Sequence, residues 1–184
     1  MAVSEAHVKE SRFLALVLRH KPEEAGITLD EHGWANVDEL VKGIASQRPF
    51  TLEMLEEIVA TDSKGRYSFS EDHSLVRANQ GHSVNVDVEL ESGDPPDVLY
   101  HGTAKRFLNS IMEQGLLPKS RLYVHLSPDV DTACRVGSRH GSPAVLKIDA
   151  GEMYKEGFEF FLSKNGVWLT KHVPTKYLTL IETD

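Results

Sequence analysis

This 184-residue sequence is short of several things that would define other classes of protein. Its single cysteine, Cys134, excludes an internal disulfide and leaves no material for a cysteine-rich metal site. No apolar run approaches the roughly 20 residues that a membrane-spanning helix needs. Residues 1–10 are polar and of mixed charge, which is not the pattern of a secretory signal. With 40% hydrophobic residues for a core, we expect an intracellular, cytoplasmic protein that does not enter membranes.

The sequence also lacks an excess of positive charge. Its formal net charge is −8, which argues against a broad electrostatic grip on nucleic acid. The charge is uneven, because residues 1–97 hold 9 Lys and Arg against 19 Asp and Glu, whereas residues 98–184 hold 11 against 9. A phosphorylated ligand would therefore have to be bound by a few focused cations.

The best domain boundary is the acidic stretch Asp87–Asp97, which contains Gly93 and Pro95-Pro96. Two consecutive prolines cannot continue a helix, and they stiffen an extended connector. We place one lobe at residues 1–90, a connector at 91–97 and a second lobe at 98–184.

The first lobe has the pattern of three helices followed by a hairpin. Apolar spacing predicts a helix over Val8–Arg19, ended by Pro22. Asn36 or Asp38 can start a second helix, and Thr51 can cap a third. Two strands follow, Arg66–Phe69 and Leu75–Ala78, with a turn over Ser70–His73. This order is typical of a winged helix, although a fold alone does not prove a function.

The second lobe is richer in predicted strands and has an α+β pattern. An Asn165-Gly166 turn predicts a hairpin. The predicted strands are Val98–Tyr100, Leu122–Leu126, Ala144–Ile148, Phe158–Phe161, Val167–Leu169 and Tyr177–Ile181, and the predicted helices are Ala104–Gln114 and Asp129–Val136. We expect a mixed, mostly antiparallel sheet with a few helices.

Several polar clusters of the first lobe suit phosphate binding. Arg19-His20-Lys21 follows the first helix, and an arginine can clamp a phosphate with two hydrogen bonds. The alternative is a set of cations favoured by the helix dipole. Arg66 begins the hairpin, and it either contacts a nucleic-acid backbone or is a solvated arginine at the end of a strand. The segment Arg77–Ser83 suits phosphate or base contacts, or is simply a polar loop.

In the second lobe, Tyr100–Thr103 is expected to follow a strand and to open a helix, where free backbone N–H groups favour anions. His101 could bond a ribose, and Gly102 leaves room for a ligand. His125-Leu126-Ser127 repeats the pattern of a histidine with a hydroxyl two residues on. Gly137–Gly141, around Arg139, is a phosphate-binding turn or an exposed loop.

Taken together, these segments resemble the KptA-type RNA 2′-phosphotransferase family over nearly the whole chain. The matching stretches are Leu18–Pro22, Gly33-Trp34, Lys64–Tyr67, Arg77–Ser83, Tyr100–Thr103, His125–Ser127, Gly137–Gly141 and Asn165–Val167. Each stretch is short, but their number, order and spacing make the resemblance specific.

The resemblance implies a winged-helix lobe that engages RNA and an ADP-ribosyltransferase-like lobe with a split sheet that holds NAD, with the active site in the cleft between them. It implies a His, His, hydrophobic signature at His101, His125 and Val167, with Gly102, Thr103 and Ser127 as further NAD contacts. The implied catalytic set is Arg19, His20, Arg66 and Arg139, and the implied RNA and phosphate contacts are Lys21, Arg77, Gln80 and His82.

The implied reaction has two steps. The RNA 2′-phosphate attacks the NAD ribose carbon that bears nicotinamide, which leaves an RNA-2′-phospho-ADP-ribose intermediate. The ribose 2″-hydroxyl then attacks the phosphorus, releasing 2′-OH RNA and ADP-ribose 1″,2″-cyclic phosphate, as would be needed in tRNA splicing. The scheme requires no metal, and we expect a monomer.

Three alternatives stay open. His101-x-Thr103 and His125-x-Ser127 fit a two-histidine phosphoesterase, which would not need NAD. A winged-helix RNA- or DNA-binding protein with an accessory lobe would show no response to NAD. An ADP-ribosyltransferase acting on another phosphorylated acceptor would share the same chemistry.

Overall fold

A computed structural model describes residues 7–181 of the chain. Residues 1–6, on which the expectation about a secretory signal partly depends, lie outside the described part. The described chain forms two compact units that divide between Glu89 and Leu90. No helix within residues 7–181 is both long enough and apolar enough to cross a membrane.

The first unit contains three helices and a three-stranded antiparallel sheet. Its elements are α1 (Val8–Arg19), β1 (Trp34–Asn36), α2 (Val37–Ala45), α3 (Leu52–Thr61), β2 (Tyr67–Phe69) and β3 (Leu75–Ala78). The predicted helices and hairpin are confirmed. Strand β1 has no counterpart in the sequence-based prediction, and it pairs with β3 so that Trp34 lies opposite Arg77.

Local capping and apolar spacing explain the helices of this unit. The Asn36 side chain accepts a hydrogen bond from the backbone N–H of Glu39 at 3.1 Å, and that of Thr51 accepts one from Met54 at 3.3 Å. These bonds satisfy backbone donors that a helix N-terminus leaves without partners. The apolar faces of the helices meet in one core, whose fully buried members include Leu14, Leu18, Leu40, Leu55, Ile58 and Val76.

The second unit is built on two small antiparallel sheets with short helices. Its elements are β4 (Glu91–Ser92), β5 (Leu99–Ala104), α4 (Leu108–Gln114), β6 (Val124–Leu126), α5 (Val130–Gly137), β7 (Pro143–Ile148), α6 (Ala150–Lys155), β8 (Phe160–Leu162), β9 (Trp168–Thr170) and β10 (Leu178–Ile181). The strand orders are β10-β7-β5 and β4-β8-β9-β6.

The α+β class is confirmed, but the strand pairing differs from the expectation in two ways. Every strand pairing in the described residues is antiparallel, so the expected mixed sheet is wrong there. Strand β4 lies inside the stretch expected to be a connector, residues 91–97, and pairs with β8. The two sheets are bridged where Tyr100 and Ser127 exchange backbone hydrogen bonds of 2.9 and 2.7 Å.

The largest correction concerns His101, Gly102 and Thr103. They lie inside β5 and not at a helix N-terminus, because β5 pairs with β7 without interruption from Leu99 to Ala104. Opening a helix at Tyr100 would give up those ladder hydrogen bonds. A single 3₁₀ turn over Lys105–Phe107 precedes α4, and α6 is a further helix that the sequence patterns do not predict.

Gly102 is explained by packing and not by room for a ligand. A Cβ placed on Gly102 would overlap the carbonyl oxygen of Ala133 and would come within 2.9 Å of the Gly137 nitrogen. The backbone of α5 therefore lies directly against β5, which only a glycine permits. This contact fixes the end of α5, and with it the 3₁₀ turn Ser138–His140 that carries Arg139.

Candidate functional site

In the first unit, the end of α1 is tied to the segment that follows β3. The backbone N–H of Ser83 donates to the carbonyl oxygen of Arg19 at 2.9 Å. The His20 Nδ1 atom lies 2.9 Å from the Ser83 hydroxyl oxygen. These bonds bring together two of the predicted stretches, which are 63 residues apart in the chain.

Gly81 lets this segment approach Arg19. Its φ is +91°, and a Cβ added there would lie 3.5 Å from Cζ of the Arg19 guanidinium. Positive φ is open to glycine at no steric cost, whereas other residues are strained there. The glycine of the Arg77–Ser83 segment therefore serves the packing of a predicted catalytic side chain.

Arg66 is held by a buried carboxylate that the sequence analysis did not single out. Asp62 lies 2.9 Å from Nη2 of Arg66 and 3.0 Å from Nε, and it also accepts the Arg66 backbone N–H at 2.6 Å. Burial opposes ionisation, but these hydrogen bonds and the Arg66 charge hold the pKa of Asp62 below its usual range. Arg66 is thus an oriented guanidinium and not a solvated strand-end residue.

Arg19 and Arg66 both lie close to the buried ring of Tyr67. Cζ of Arg66 is 5.5 Å from the Tyr67 ring centroid, and Nη2 of Arg66 donates to the Ser11 hydroxyl at 3.3 Å. Burial raises the pKa of Tyr67, and the positive charges of Arg66 and Arg19 both act to lower it. Arg19 and Arg66 thus share Tyr67 as a neighbour, and His20, the third predicted catalytic residue of this unit, directly follows Arg19 in the chain.

His82 is almost fully enclosed, with 2% of its surface exposed. Burial lowers the pKa of His82 to about 4, and the charges of Arg19, His20 and Arg77 act in the same direction. Its ring is therefore neutral at pH 7. Its Nε2 atom is buried and makes no hydrogen bond within residues 7–181. An inward, enclosed ring favours a packing role over the predicted RNA contact.

Arg77 is also held inside the unit. It is 4% exposed, its Nη1 atom lies 3.0 Å from Oε2 of Glu89, and its Cζ lies 4.4 Å from the Trp34 ring centroid. This geometry favours a structural role over the predicted phosphate contact. Lys21, by contrast, is an exposed cation with one long pair to Glu24 at 3.5 Å, and Gln80 is half-buried.

In the second unit, a hydrogen bond joins the two predicted NAD histidines. Nδ1 of His101 donates to the carbonyl oxygen of His125 at 2.9 Å. Burial lowers the pKa of His101, and the charges of Arg121 and Lys119 lower it further. The hydrogen bond to the His125 carbonyl acts in the opposite direction and raises it. A neutral ring that donates through Nδ1 has an acceptor at Nε2, which suits a ribose hydroxyl.

The other predicted NAD residues lie on β5 or at the ends of β6 and β9. Ser127 is bridged to Tyr100, the neighbour of His101. Because Leu126 pairs with Trp168, the register of β6 and β9 puts Val167 at the level of Ser127. The Ser163 hydroxyl accepts the Val167 N–H at 3.0 Å, which holds the turn before β9. Thr103 is buried inside β5, so its hydroxyl does not face solvent.

Arg139, Arg121 and Lys119 are exposed cations of the second unit. Burial on one side and the charge of Arg139 lower the pKa of Arg121, although much of its side chain meets solvent. Arg139 lies in the turn that follows α5, and the contact between α5 and Gly102 fixes where that turn begins.

Within the described ranges, no three His, Cys, Asp or Glu side chains are arranged to hold a metal ion. The residues that the sequence analysis missed are Asp62, Lys119 and Arg121. Asp62 has a weak local signal, since it lies four residues before Arg66. The two cations have none, because only the fold lets their charges act on His101.

Both units of this α+β chain carry arginine and imidazole groups, which are the residue types suited to phosphorylated ligands. Comparison with known proteins narrows this class. The family model described as RNA 2′-phosphotransferase, Tpt1/KptA family, matches residues 5–172. The chain therefore belongs to that family.

Named relatives agree over almost their whole length. A probable RNA 2′-phosphotransferase of Pectobacterium carotovorum is 51% identical over 174 residues, which is 94% of each chain. Proteins with the same name are 49% identical in Acaryochloris marina, over 94% of this chain and 96% of the relative, and 49% identical in Streptomyces coelicolor, over 95% of each.

Proposed function

We propose that this protein removes an internal 2′-phosphate from RNA by transferring it to NAD, which is consumed as a co-substrate. The observation that carries the proposal is family membership over residues 5–172, together with relatives named for RNA 2′-phosphotransfer at about half identity. The placement of the predicted site residues in each unit supports it.

The first unit is the proposed RNA-binding part. Its order of three helices and a β-hairpin, with β1 added to the sheet, supports a winged helix. Arg19, His20 and Arg66 are proposed to bind the 2′-phosphate. Asp62 orients Arg66 but does not occupy all of its hydrogen-bond donors, since a guanidinium carries five N–H groups. This recognition uses few cations, which fits the acidic composition of residues 1–97.

The second unit is the proposed ADP-ribosyltransferase-like part. Its two small sheets bridged at Tyr100 and Ser127 support the split-sheet architecture. A neutral His101 with an acceptor at Nε2 suits a ribose hydroxyl, and the cations of this unit suit a pyrophosphate. The donor set therefore fits NAD, with His125 on β6, Ser127 directly after β6 and Val167 directly before β9.

The chemistry follows in two balanced steps. An oxygen of the RNA 2′-phosphate attacks the ribose carbon that bears nicotinamide; the C–N bond breaks and nicotinamide leaves with its electron pair. The ribose 2″-hydroxyl then attacks the phosphorus and the bond to the RNA 2′-oxygen breaks. The hydroxyl proton ends on that oxygen, and ADP-ribose 1″,2″-cyclic phosphate is the second product.

The proposed catalytic set is Arg19, His20, Arg66 and Arg139. A phosphate dianion is already a nucleophile, so the first step needs positioning more than activation. The second step builds charge on the phosphorane oxygens, which preorganised guanidinium groups stabilise. Arginine remains protonated and cannot serve as a base, so His20 is the group proposed to assist proton transfer.

The test is direct. The protein is incubated with a 2′-phosphorylated oligoribonucleotide, with and without NAD, and the products are resolved by mass. We expect the RNA to lose one phosphate only when NAD is present, with release of nicotinamide. If the same amount of product forms without NAD, the protein is a phosphoesterase and this proposal is wrong. If nicotinamide is released only with a phosphorylated acceptor that is not RNA, the protein is a different transferase.

Matched variants test the catalytic set. Arg19→Ala or Arg139→Ala is expected to slow turnover by about 10²-fold or more, or to accumulate the intermediate, because each removes a donor to a charged transition state. Arg12→Ala is the control, since Arg12 is an exposed arginine on the same helix as Arg19. Rates unchanged from wild type in both test variants would refute the assignment.

A further inference from the structure

The imidazole ring of His20 contacts the hydroxyl of Ser83, which lies 63 residues further along the chain. The Nδ1 atom of His20 is 2.9 Å from the Ser83 oxygen, an ordinary hydrogen-bond distance. In a neutral imidazole one ring nitrogen donates and the other accepts. The partner of Nδ1 therefore decides what the second nitrogen, Nε2, can do.

The main chain fixes where the His20 ring begins but not how the ring is turned. The backbone N–H groups of His20 and Lys21 both donate to the Leu16 carbonyl oxygen at 2.9 Å, which closes the end of α1. The outer side-chain torsion of a histidine has only a broad, roughly two-fold preference. A half-turn about it would carry both ring nitrogens to new positions, and a hydrogen bond to Nδ1 selects one of the two orientations.

Ser83 is held in place without using its hydroxyl. Its backbone N–H donates to the Arg19 carbonyl oxygen at 2.9 Å. The residue before it, His82, is enclosed, and Gly81, with a φ of +91°, lets the segment run beside the Arg19 side chain. Ser83 itself is exposed, so its side chain is no part of the core. Removing the hydroxyl should therefore release the His20 ring and leave the segment where it is.

A hydroxyl is chemically suited to this position. The second proposed step needs a group that takes the proton of the ribose 2″-hydroxyl and delivers it to the RNA 2′-oxygen. Nε2 of a histidine can do both if Nδ1 keeps its own hydrogen throughout. An oxygen that accepts from Nδ1–H favours that arrangement in the neutral and in the protonated ring. A hydroxyl oxygen does so without placing a negative charge beside the RNA phosphate.

We propose that Ser83 is a positioning residue for His20: its hydroxyl oxygen accepts a hydrogen bond from Nδ1–H, which orients the ring and makes Nε2 the atom that transfers the proton. This inference rests on the proposed function, because that function supplies the proton-transfer step. The 2″-hydroxyl proton moves to Nε2 as its oxygen bonds to phosphorus. The proton then moves from Nε2 to the RNA 2′-oxygen as the bond from that oxygen to phosphorus breaks.

The kinetic experiment compares Ser83→Ala, Ser83→Thr and Ser46→Ala. Ser46 is the control, because it is an exposed serine of the same unit whose hydroxyl donates to the Gly43 carbonyl oxygen at 2.7 Å. Each protein is mixed with NAD and a 2′-phosphorylated oligoribonucleotide in a single turnover. Release of nicotinamide reports the first step, and formation of 2′-OH RNA from the intermediate reports the second.

We expect the two steps to respond differently. Ser83→Ala should slow the second step by about five- to tenfold, the effect of losing one hydrogen bond in the transition state, so that the intermediate accumulates. Nicotinamide release should change by less than about twofold, because that step transfers no proton through His20. Ser83→Thr keeps the hydroxyl and should restore the second step, and Ser46→Ala should behave as wild type in both.

The proton on the His20 ring is observed directly by nitrogen NMR. In the neutral ring of the wild-type protein we expect the hydrogen on Nδ1, and in Ser83→Ala a shift of the population towards Nε2–H. This measurement needs no turnover, so it tests the hydrogen bond independently of the reaction. Equal thermal melting of wild type and Ser83→Ala shows that folding is not the cause of either effect.

A wild-type ring with its hydrogen on Nε2, or a Ser83→Ala protein with an unchanged second step, overturns the inference. Equal slowing of both steps also overturns it, because Ser83 would then support phosphate binding and not proton transfer. Each of these results leaves the proposed function standing if the wild-type protein removes the 2′-phosphate only with NAD. A wild-type protein that lacks this activity overturns the proposed function, and the role of Ser83 with it.

Discussion

His82 makes the stability of this protein depend on pH in a way that can be calculated. The pKa of His82 lies at about 4 in the fold, against 6.5 for an ordinary histidine, because the ring is buried and lies near Arg19, His20 and Arg77. Between these two values the unfolded chain binds the extra proton and the folded chain does not. The contribution of neutral His82 to the free energy of unfolding is therefore complete above about pH 6.5, and it is lost as the pH falls towards 4.

Linkage turns this difference into a free energy. For those two pKa values, lowering the pH from 7 to 5 removes about 2 kcal/mol of the free energy of unfolding through His82 alone. His82→Phe and His82→Gln cannot take up the proton. Each variant should therefore lose about 2 kcal/mol less than the wild-type protein over the same pH interval.

Urea unfolding at pH 7 and pH 5 measures the effect. Comparing wild type with each variant cancels the contributions of every other group, and two different replacements separate lost titration from altered packing. A proton NMR titration of the His82 ring provides an independent check, since its resonances should not shift above about pH 5. Equal losses in wild type and both variants would show that the ring titrates normally in the fold.

Two other substitutions give clear expectations. Asp62→Asn should lower the free energy of unfolding by about 2 kcal/mol, measured in urea at pH 7, because it leaves Arg66 without its buried partner. The contribution of Asp62 is complete above the ordinary aspartate pKa of about 4 and is lost as the pH falls from there through the lowered pKa of the folded state, so the deficit should shrink over that interval; a constant deficit would contradict the reasoning. Gly102→Ala should cost about 3 kcal/mol through overlap with the Ala133 carbonyl. Gly93→Ala, whose Cβ would meet only Trp168 at 3.6 Å, should stay within about 0.5 kcal/mol; equal melting of the two glycine variants would be inconsistent with the packing described.

The helices of the first unit were predictable because their signals are local. Asn36 and Thr51 are side-chain caps, and both act within three residues of themselves. Helix α1 ends at Arg19, as the proline at position 22 indicates. Capping and apolar spacing depend only on neighbours in the chain, so the sequence alone is enough to predict these helices.

His101 shows where such local reasoning fails. A polar stretch containing glycine after a short apolar run has the pattern of a strand that ends and a helix that begins. The partner strand β7 lies more than 40 residues further along, and its pairing extends β5 to Ala104. The need for glycine at position 102 is hidden from local reasoning as well, because the backbone that excludes a side chain there belongs to α5.

The site residues divide in the same way. Residue type and spacing singled out Arg19, His20, Arg66 and Arg139 as groups suited to a phosphate, and they stay predictions until the enzyme is assayed. Asp62 and Arg121 were missed, because an acid near an arginine or a cation near a strand is common in any sequence.

By itself the sequence determined the helices of the first unit, the α+β class and the types of residue available for phosphate chemistry. Those properties follow from neighbours along the chain. Only the tertiary structure decided that Arg66 is held by Asp62, that His82 is enclosed and neutral, and that His101 is bonded to the His125 carbonyl. Burial and charge act over distances in space, and those distances exist only after the chain has folded.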